Sequence, residues 1–581
     1  MSATTTEAAP SPAAMSHPAV MRALSGLLMG MFVSILAGTV VSTSMPRIIS
    51  DLGGNQAAFT WVITSTLLAT TVSTPIWGKF ADITNRKLLI QIALVIFVLG
   101  SALAGFSQNT ETLIIFRVMQ GLGGGGLAAL SQIIMADIIS PRERGRYMGL
   151  FGAVMAVGTV GGPLLGGVIT DAIGWRWNFF VALPFAIAAI FLLQRNLNLP
   201  ALEKIKVKID YLGMILIAGG ISLLLIWVTL AGHDFDWDST TSFVMVGGAV
   251  LMLILAVIVE VKVENPIIPM SLFKNPTFSL AVIASISVGV AMFGTSVFLG
   301  QYMQLARGAT PTQSGLLTLP MIGGLLLSST FVGMLISKFG KWKGYMVFGS
   351  IALTVGMFLM GTIKYDTNYV VVSIYMFILG VGVGMVMQNL VLIVQNTVSP
   401  KEIGVASSGV TFFRSLGGTI GISVLGSVLA TKIADGITAK AADIQAALVH
   451  LGPAGAEVGK QLQSGVLPKV AEMPDGIRVI IESVYGQGVA DIFLLAAPLA
   501  LITVLAIVFL PNRSLSTQTA TERLKNGEDA QSAAGAEAAA AGENLIAVGE
   551  ASIGAQGDLV ATTGTISTLN PDGTRRSDAD N

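Results

Sequence analysis

The 581-residue chain is 53% hydrophobic and 11% charged, with 33 Lys and Arg balanced by 33 Asp and Glu. Zero net charge removes the electrostatic basis for bulk nucleic-acid binding, and the lack of cysteine excludes disulfides, thiolate metal sites and cysteine nucleophiles. His17, His233 and His450 do not pair at metal-ligand spacing, and Walker A, Rossmann and HExxH patterns are absent, so a pump would draw on an ion gradient rather than ATP.

Fourteen apolar runs of spanning length lie between about residues 21 and 510. A bilayer core about 30 Å thick needs roughly 20 apolar residues per helix. The runs are continuous rather than alternating, so they predict helices and not a barrel. They fall at about 21–43, 58–78, 88–107, 112–136, 147–170, 177–194, 212–231, 242–261, 278–300, 315–337, 344–363, 369–397, 405–430 and 488–510. The expected fold is therefore all-α and polytopic. The first 20 residues carry no Lys or Arg and no small-residue cleavage site before the first span, so no removed signal peptide is expected. Residues 1–20 are expected to form a disordered cytoplasmic N-tail.

Basic residues sort by loop. Lys79, Arg86 and Lys87, then Arg142, Arg144 and Arg146, then Arg195, Lys204, Lys206 and Lys208, then Lys338, Lys341 and Lys343 all lie in even-numbered loops. The seventh loop is acidic, with Asp234, Asp236 and Asp238. The positive-inside rule puts the even loops and both termini in the cytoplasm.

The loop after span 2 runs Gly78, Lys79, Phe80, Ala81, Asp82, then Asn85, Arg86 and Lys87. The loop after span 10 runs Gly333, three residues, Ser337, Lys338, then Gly340, Lys341 and Lys343. These matching loops stand at equivalent places in two sets of six spans, which is the internal symmetry of secondary transporters. Gly78 lets a neighbouring helix approach closely, and Asp82 is expected to cap the next helix. Such a joint can latch two bundles and release them; the plainer reading is a positive-inside loop.

The first loop resembles the cytoplasmic signature of the major facilitator superfamily, and the 6+2+6 arrangement looks like its fourteen-span drug:H+ antiporter branch of EmrB- and QacA-type exporters. The resemblance covers about residues 21–510. It implies an N-terminal six-helix bundle over 21–194, a linker with two inserted helices over 195–277, and a C-terminal six-helix bundle over 278–510. It also implies a multi-pass protein of the inner or plasma membrane.

In span 4, Arg117-Val-Met-Gln120-Gly121-Leu-Gly123 is similar to the family motif whose arginine is implicated in proton coupling and conformational exchange. An arginine in hydrocarbon is costly and is kept where it faces a cavity or partner; snorkelling to the outer surface is the alternative. In span 5, Gly158, Gly162, Pro163, Gly166 and Gly167 form the string G-x-x-x-G-P-x-x-G-G, which resembles the superfamily's antiporter motif. Its small residues give a flat packing face, and Pro163 favours a kink. Asp210 reads as the helix-start charge of span 7. In span 13, Arg414 precedes Gly417, Gly418 and Gly421 and needs a partner, for which Gln388, Asn389, Gln395 and Asn396 of span 12 are candidates. The candidate substrate-lining residues are Gln120, Met387, Gln388, Asn389, Phe412 and Phe413, with ordinary core packing as the alternative for each. Trp61 and the Trp175-Arg176-Trp177 run read as interfacial anchors.

One departure stands out. Where the branch carries a span-1 acid, this chain has Leu36-Ala37-Gly38-Thr39. A buried carboxylate is the natural proton carrier, so coupling must use another group. Asp491 in span 14 is the acid nearest the bilayer interior, with capping as its other reading. Asp82 and Asp137 belong to the cytoplasmic rim, where they could couple gating together with Arg86. The outer loop 431–487 contains a stretch, Ala439–Leu451, able to form a short amphipathic helix; it is either a contact for a partner outside the membrane or a tolerated insertion. Residues 511–581 are rich in Ala, Gly, Ser and Thr and are expected to be disordered in the cytoplasm.

Three functions follow as expectations: a proton-coupled exporter of amphipathic or hydrophobic compounds in contact with membrane lipids, an exporter of an endogenous lipid or envelope precursor, or a non-transporting sensor or scaffold. None is an enzyme, and none needs a cofactor beyond the proton gradient.

Overall fold

The computed structural model describes residues 17–53, 56–139, 172–197, 210–231, 235–263, 266–309, 311–451 and 473–518, together with 143, 147, 150, 154, 157–158, 161–162, 165–170, 470 and 522. Among these, β pairing is confined to one isolated bridge, Ala231 to Phe235. The rest is built on helices: α1 (His17–Asp51), α2 (Gln56–Ile83), α3 (Arg86–Gly105), α4 (Thr110–Ile138), α5 (Ala182–Asn196), α6 (Tyr211–Leu230), α7 (Thr240–Lys262), α8 (Pro276–Gln301), α9 (Leu319–Phe339), α10 (Lys343–Met360), α11 (Tyr369–Thr397), α12 (Ile403–Ala439), α13 (Ala441–His450) and α14 (Asp475–Phe509). Twelve described helices are long and apolar enough to cross a membrane. α2 is not among the twelve, and the expected fifth span over 147–170 is only partly described.

Helix starts are set by local chemistry. Asn85, Asn109, Ser239, Asn275 and Asn368 each accept a backbone N–H of the first turn that follows, at the starts of α3, α4, α7, α8 and α11. Asp210 does the same for α6. Each cap contributes about 1 kcal/mol.

Helices then pack through glycine. On α4, Gly121 and Gly125 lie against backbone of α2, while Gly123 lies against Ala93 and Phe97 of α3. On α11, Gly380 and Gly384 lie against Met321 and Leu325 of α9, while Gly382 lies against Leu353 of α10. The same three-glycine device thus seats the fourth helix of each half between the second and third. A further match exists. Gly158, Gly162 and Gly166 meet Ile35, Thr39 and Val40 of α1, as Gly417 and Gly421 of α12 meet Ile286 and Val290 of α8. Lipid supplies no hydrophobic force between helices, so close backbone approach does the packing.

The inserted helices α6 and α7 pair with each other, and α6 also lies against α2 and α12. Ile217, Ile221 and Leu225 of α6 share one apolar cluster with Val72 of α2 and Phe412 of α12. The start of α1 and the segment just after α14 meet one side of the bundle, called here the terminal end. Val20 and Leu24 at the start of α1 share a cluster with Ala81, Ile139 and Leu197. After α14, Arg513 and Ser514 accept hydrogen bonds from Trp342 Nε1 (2.8 Å) and Asn396 Nδ2 (3.0 Å).

Two expectations shift. The outer loop 431–487 is largely helical where described, because α12 runs on to Ala439 and α14 already begins at Asp475; α13 occupies the predicted amphipathic stretch. Polar residues continue these helices beyond the hydrocarbon, where hydropathy alone stops a span. Most of the expected tails, 1–20 and 511–581, lies outside the described residues.

A side chain on Gly123 or Gly382 would meet backbone of the adjacent helix. Gly123→Val and Gly382→Val are each expected to cost about 1–3 kcal/mol of stability. Thermal unfolding of the purified protein checks this, and an unchanged midpoint for either contradicts the packing.

Candidate functional site: the seam between the two halves

The seam begins at the end of α2. Asp82 is buried, and its two carboxylate oxygens accept the N–H groups of Gly404 (3.0 Å) and Val405 (2.9 Å). Those N–H groups belong to the first turn of α12, whose donors have no partner within their own helix. Asp82 therefore caps a helix of the other half, not α3 as expected from its sequence position. Asn85 takes the α3 cap instead, because its side chain sits directly before that helix and accepts from Lys87 and Leu88 N–H. A charged acceptor on such donors contributes about 1.5–3 kcal/mol per bond, aided by the helix dipole.

Arg86 completes the joint. Its Nε donates to Ala81 O (2.8 Å), one terminal nitrogen pairs with Asp137 of α4, and the other lies 3.5 Å from Asp82. Arg86 is buried between two carboxylates. It is more than a positive-inside anchor, since it ties α3 and α4 to the residue that holds α12. Close approach is essential here: a methyl group on Gly78 would overlap Ser408, and one on Gly404 would overlap Asp82.

Amides extend the seam. Gln132 of α4 donates to Gln388 of α11 (2.9 Å), and Gln395 donates to Ser407 Oγ (2.7 Å) and Gln132 O (3.4 Å). Asn389 bonds within its own helix to Met385 O (2.7 Å), and Asn396 holds the segment after α14. The partner of buried Arg414 is thus the Met387 carbonyl (3.3 Å) rather than any of these amides, each of which is turned to a nearer acceptor or donor. Every cross-half hydrogen bond named lies at the terminal end or in the half of the bundle next to it.

Arg117 lies deeper in the N-terminal half. It is 4% exposed, its Nε donates to Val62 O (3.4 Å), and one terminal nitrogen donates to Gln120 Oε1 (2.6 Å). No carboxylate pairs with it among the described residues. The structure therefore rules out the snorkelling alternative. Gln120 leaves its own buried Nε2 without an acceptor. An unneutralised buried charge of this kind costs several kcal/mol and holds only where something offsets it.

Of the span-5 string, Gly158, Gly162 and Gly166 face α1, and the Thr39 hydroxyl donates to Gly158 O (2.9 Å). Gly167 is half-buried, and Pro163 lies outside the described residues. Asp491 is paired with Lys432 (3.5 Å) and accepts from Gln487 (2.7 Å) at a partly exposed site, which matches an interfacial acid. Phe412 is buried against α6 in the apolar cluster and stacks edgewise on Phe413 at 4.9 Å. That position packs it against the inserted pair, the core alternative to its expected lining role. Met387 and Asn389 are likewise buried.

One charged group has no place in the sequence analysis: Glu260 near the end of α7, buried at 3% exposed, on which the charge of Lys79 acts as it does on Asp82. The available signal was an acid inside the apolar run Val257–Val261.

Comparison with known proteins agrees with this architecture. The family model described as Major Facilitator Superfamily matches residues 27–422. The chain belongs to the Major Facilitator Superfamily and is a membrane transporter, not an enzyme. It is 36% identical over 417 residues to the multidrug transporter protein MdtP of Bacillus subtilis, covering 72% of this chain and 76% of that one. It is 32% identical over 494 residues to multidrug resistance protein 3 of the same organism, covering 85% and 95%. Among solved structures, the proton:xylose symporter XylE superposes with a TM-score of 0.56 at 13% identity, covering 88% of this chain and 99% of that one, a likeness of fold.

Asp82→Ala should strip the α12 cap and shift the protein towards opening at the terminal end. Distance measurements between spin labels on the two halves there should gain a longer population. An unchanged distribution contradicts the latch.

Proposed function

We propose that the chain is a secondary active, proton-coupled antiporter that exports amphipathic or hydrophobic compounds across the cell membrane. In this reading fourteen helices span the bilayer, both termini are cytoplasmic, and no cofactor is needed beyond the proton gradient. The observation that carries it is the Asp82 cap. A closure between halves made of hydrogen bonds and glycine contacts, at one end of the bundle, is one that can form and break in each cycle. Two relatives named as multidrug transporters support apolar, varied cargo. The latched terminal end is then the cytoplasmic gate in its closed position, and cargo leaves from the opposite side.

Arg117 supports the coupling. A buried guanidinium without an acid partner favours deprotonation of any carboxylate that approaches it and disfavours other cations. Its charge is offset by the Val62 carbonyl of α2 and by Gln120, so small helix movements alter its surroundings. The span-5 glycines serve as the surface on which α1 rocks, with Pro163 as a hinge. Asp137 and Arg86 hold Asp82 in place, Arg414 steadies α11 against α12, and Asp491 is a rim acid at the outer face. Ala37 is buried in α1 where related exporters have an acid, so the proton-binding group lies elsewhere.

The test is export in liposomes with an imposed pH gradient, using a cationic fluorescent dye and a neutral apolar one. Gradient-driven export is expected for the wild type, with Arg117→Ala reducing it roughly 10²-fold, as for loss of about 2–3 kcal/mol of coupling. Dye movement indifferent to the gradient and to Arg117 contradicts the proposal.

A further inference from the structure

The span-1 position holds Ala37, and among the described residues two buried carboxylates, Asp210 and Glu260, each leave one oxygen without a hydrogen-bond partner beside the same glycine, Gly213. Asp210 is 7% exposed and Glu260 3%. Asp210 Oδ1 accepts Gly213 N–H (2.8 Å), and Glu260 Oε2 accepts Ile268 N–H (3.0 Å). The remaining oxygens, Asp210 Oδ2 and Glu260 Oε1, are buried and accept from nothing. Both crowd the same glycine: a methyl group on Gly213 would overlap Asp210 Oδ2 and Glu260 Oε1 at once. Two bare, ionised oxygens in that arrangement repel each other and leave strong acceptors unsatisfied.

We propose that Asp210 and Glu260 share one proton at the terminal end of the inserted helices, and that this carboxyl pair acts on the seam between the halves through Lys79. A proton taken from solution onto one oxygen turns the repulsion into a short O–H···O bond and satisfies both bare atoms; its release restores two negative charges. A metal ion fits less well, because no third acidic or histidine ligand joins the two among the described residues, and hard cations take six or more oxygens.

Lys79 on α2 is the basic group whose charge acts on Glu260, and the same charge acts on Asp82 of its own helix and on Glu402 just ahead of α12. Lys79 adjoins Gly78, which touches α12, and precedes Asp82, which caps it. α6 itself packs on both α2 and α12. With the pair fully ionised, Lys79 is drawn to it and leaves Asp82 to its helix cap. With the proton bound, Lys79 turns to Asp82 and competes for that carboxylate, which loosens the latch. The inserted helices thereby become a proton-reading element on the gate. This coupling rests on the proposed proton-driven export, whereas the shared proton does not.

Infrared spectroscopy of the full-length protein in liposomes tests the pair directly. The wild type is expected to show the carbonyl stretch of a buried protonated carboxyl group at neutral pH, bleached as pH rises. The band should vanish in both Asp210→Asn and Glu260→Gln, because the new amide donates to the surviving carboxylate and lets it stay ionised. Absence of the band in the wild type overturns the proposal without recourse to any variant, as does a band that survives both substitutions. Bleaching by sodium at constant pH overturns it in favour of a cation. In the same liposomes, Glu260→Gln should lower pH-gradient-driven dye export roughly tenfold while leaving exchange of dye down its own gradient intact; equal loss of both contradicts the coupling. The expected infrared behaviour alongside wild-type export that ignores pH would sink proton-driven export and leave the shared proton standing.

Discussion

One carboxylate in this chain closes a contact between segments more than three hundred residues apart. Asp82 ends α2 and terminates α12, so a single side chain supplies the last turn of one half with its joint and the first turn of the other with its cap. The geometry works only because Gly78 and Gly404 have no side chains, which brings the two backbones within reach. Arg86 and Asp137 then fix the carboxylate. Remove the glycines and the cap cannot form; remove the cap and the glycine contact has no electrostatic reason to persist.

Around that joint the two halves are built alike. Three glycines on α4 and three on α11 do the same task at matching positions, and the small-residue faces of the fifth span and of α12 both receive the first helix of their own half. Rigid bundles follow from this packing, since α4 and α11 are locked between two neighbours each. In the proposed cycle motion concentrates at the seam, where hydrogen bonds to amides and to one helix end join the apolar cluster that holds Val72 of α2 and Phe412 of α12. The inserted pair lies along that seam instead of standing apart from it.

Much of this was legible in the residues. Asparagine and serine before apolar runs marked the helix starts, because capping is local. Glycine runs marked close packing, and Arg117 stood out because charge in hydrocarbon always needs a reason. Cross-half partners were not legible. Asp82 lies three residues before a good cap, Asn85, and nothing in sequence says that its donors lie on α12. Arg414 bonds a carbonyl, which carries no sequence signal at all. Phe412 looked like lining because an aromatic on a central helix does, while the helix that covers it comes from the inserted pair. Glu260 carries no sequence signal beyond an acid in an apolar run, and its burial beside Gly213 and Asp210 comes from how α6 and α7 pair.

The account stands on alternation: the halves must part at the terminal end once per cycle. The chain has no native cysteine, so one introduced pair joining α2 to α12 beside the latch can be oxidised without side reactions. Dye flux in liposomes, measured before oxidation, after it, and after reduction, is the most direct measurement. Flux should stop when the pair is closed and return when it is reduced. Full crosslinking with flux unaltered would contradict the rocking of two halves about this seam.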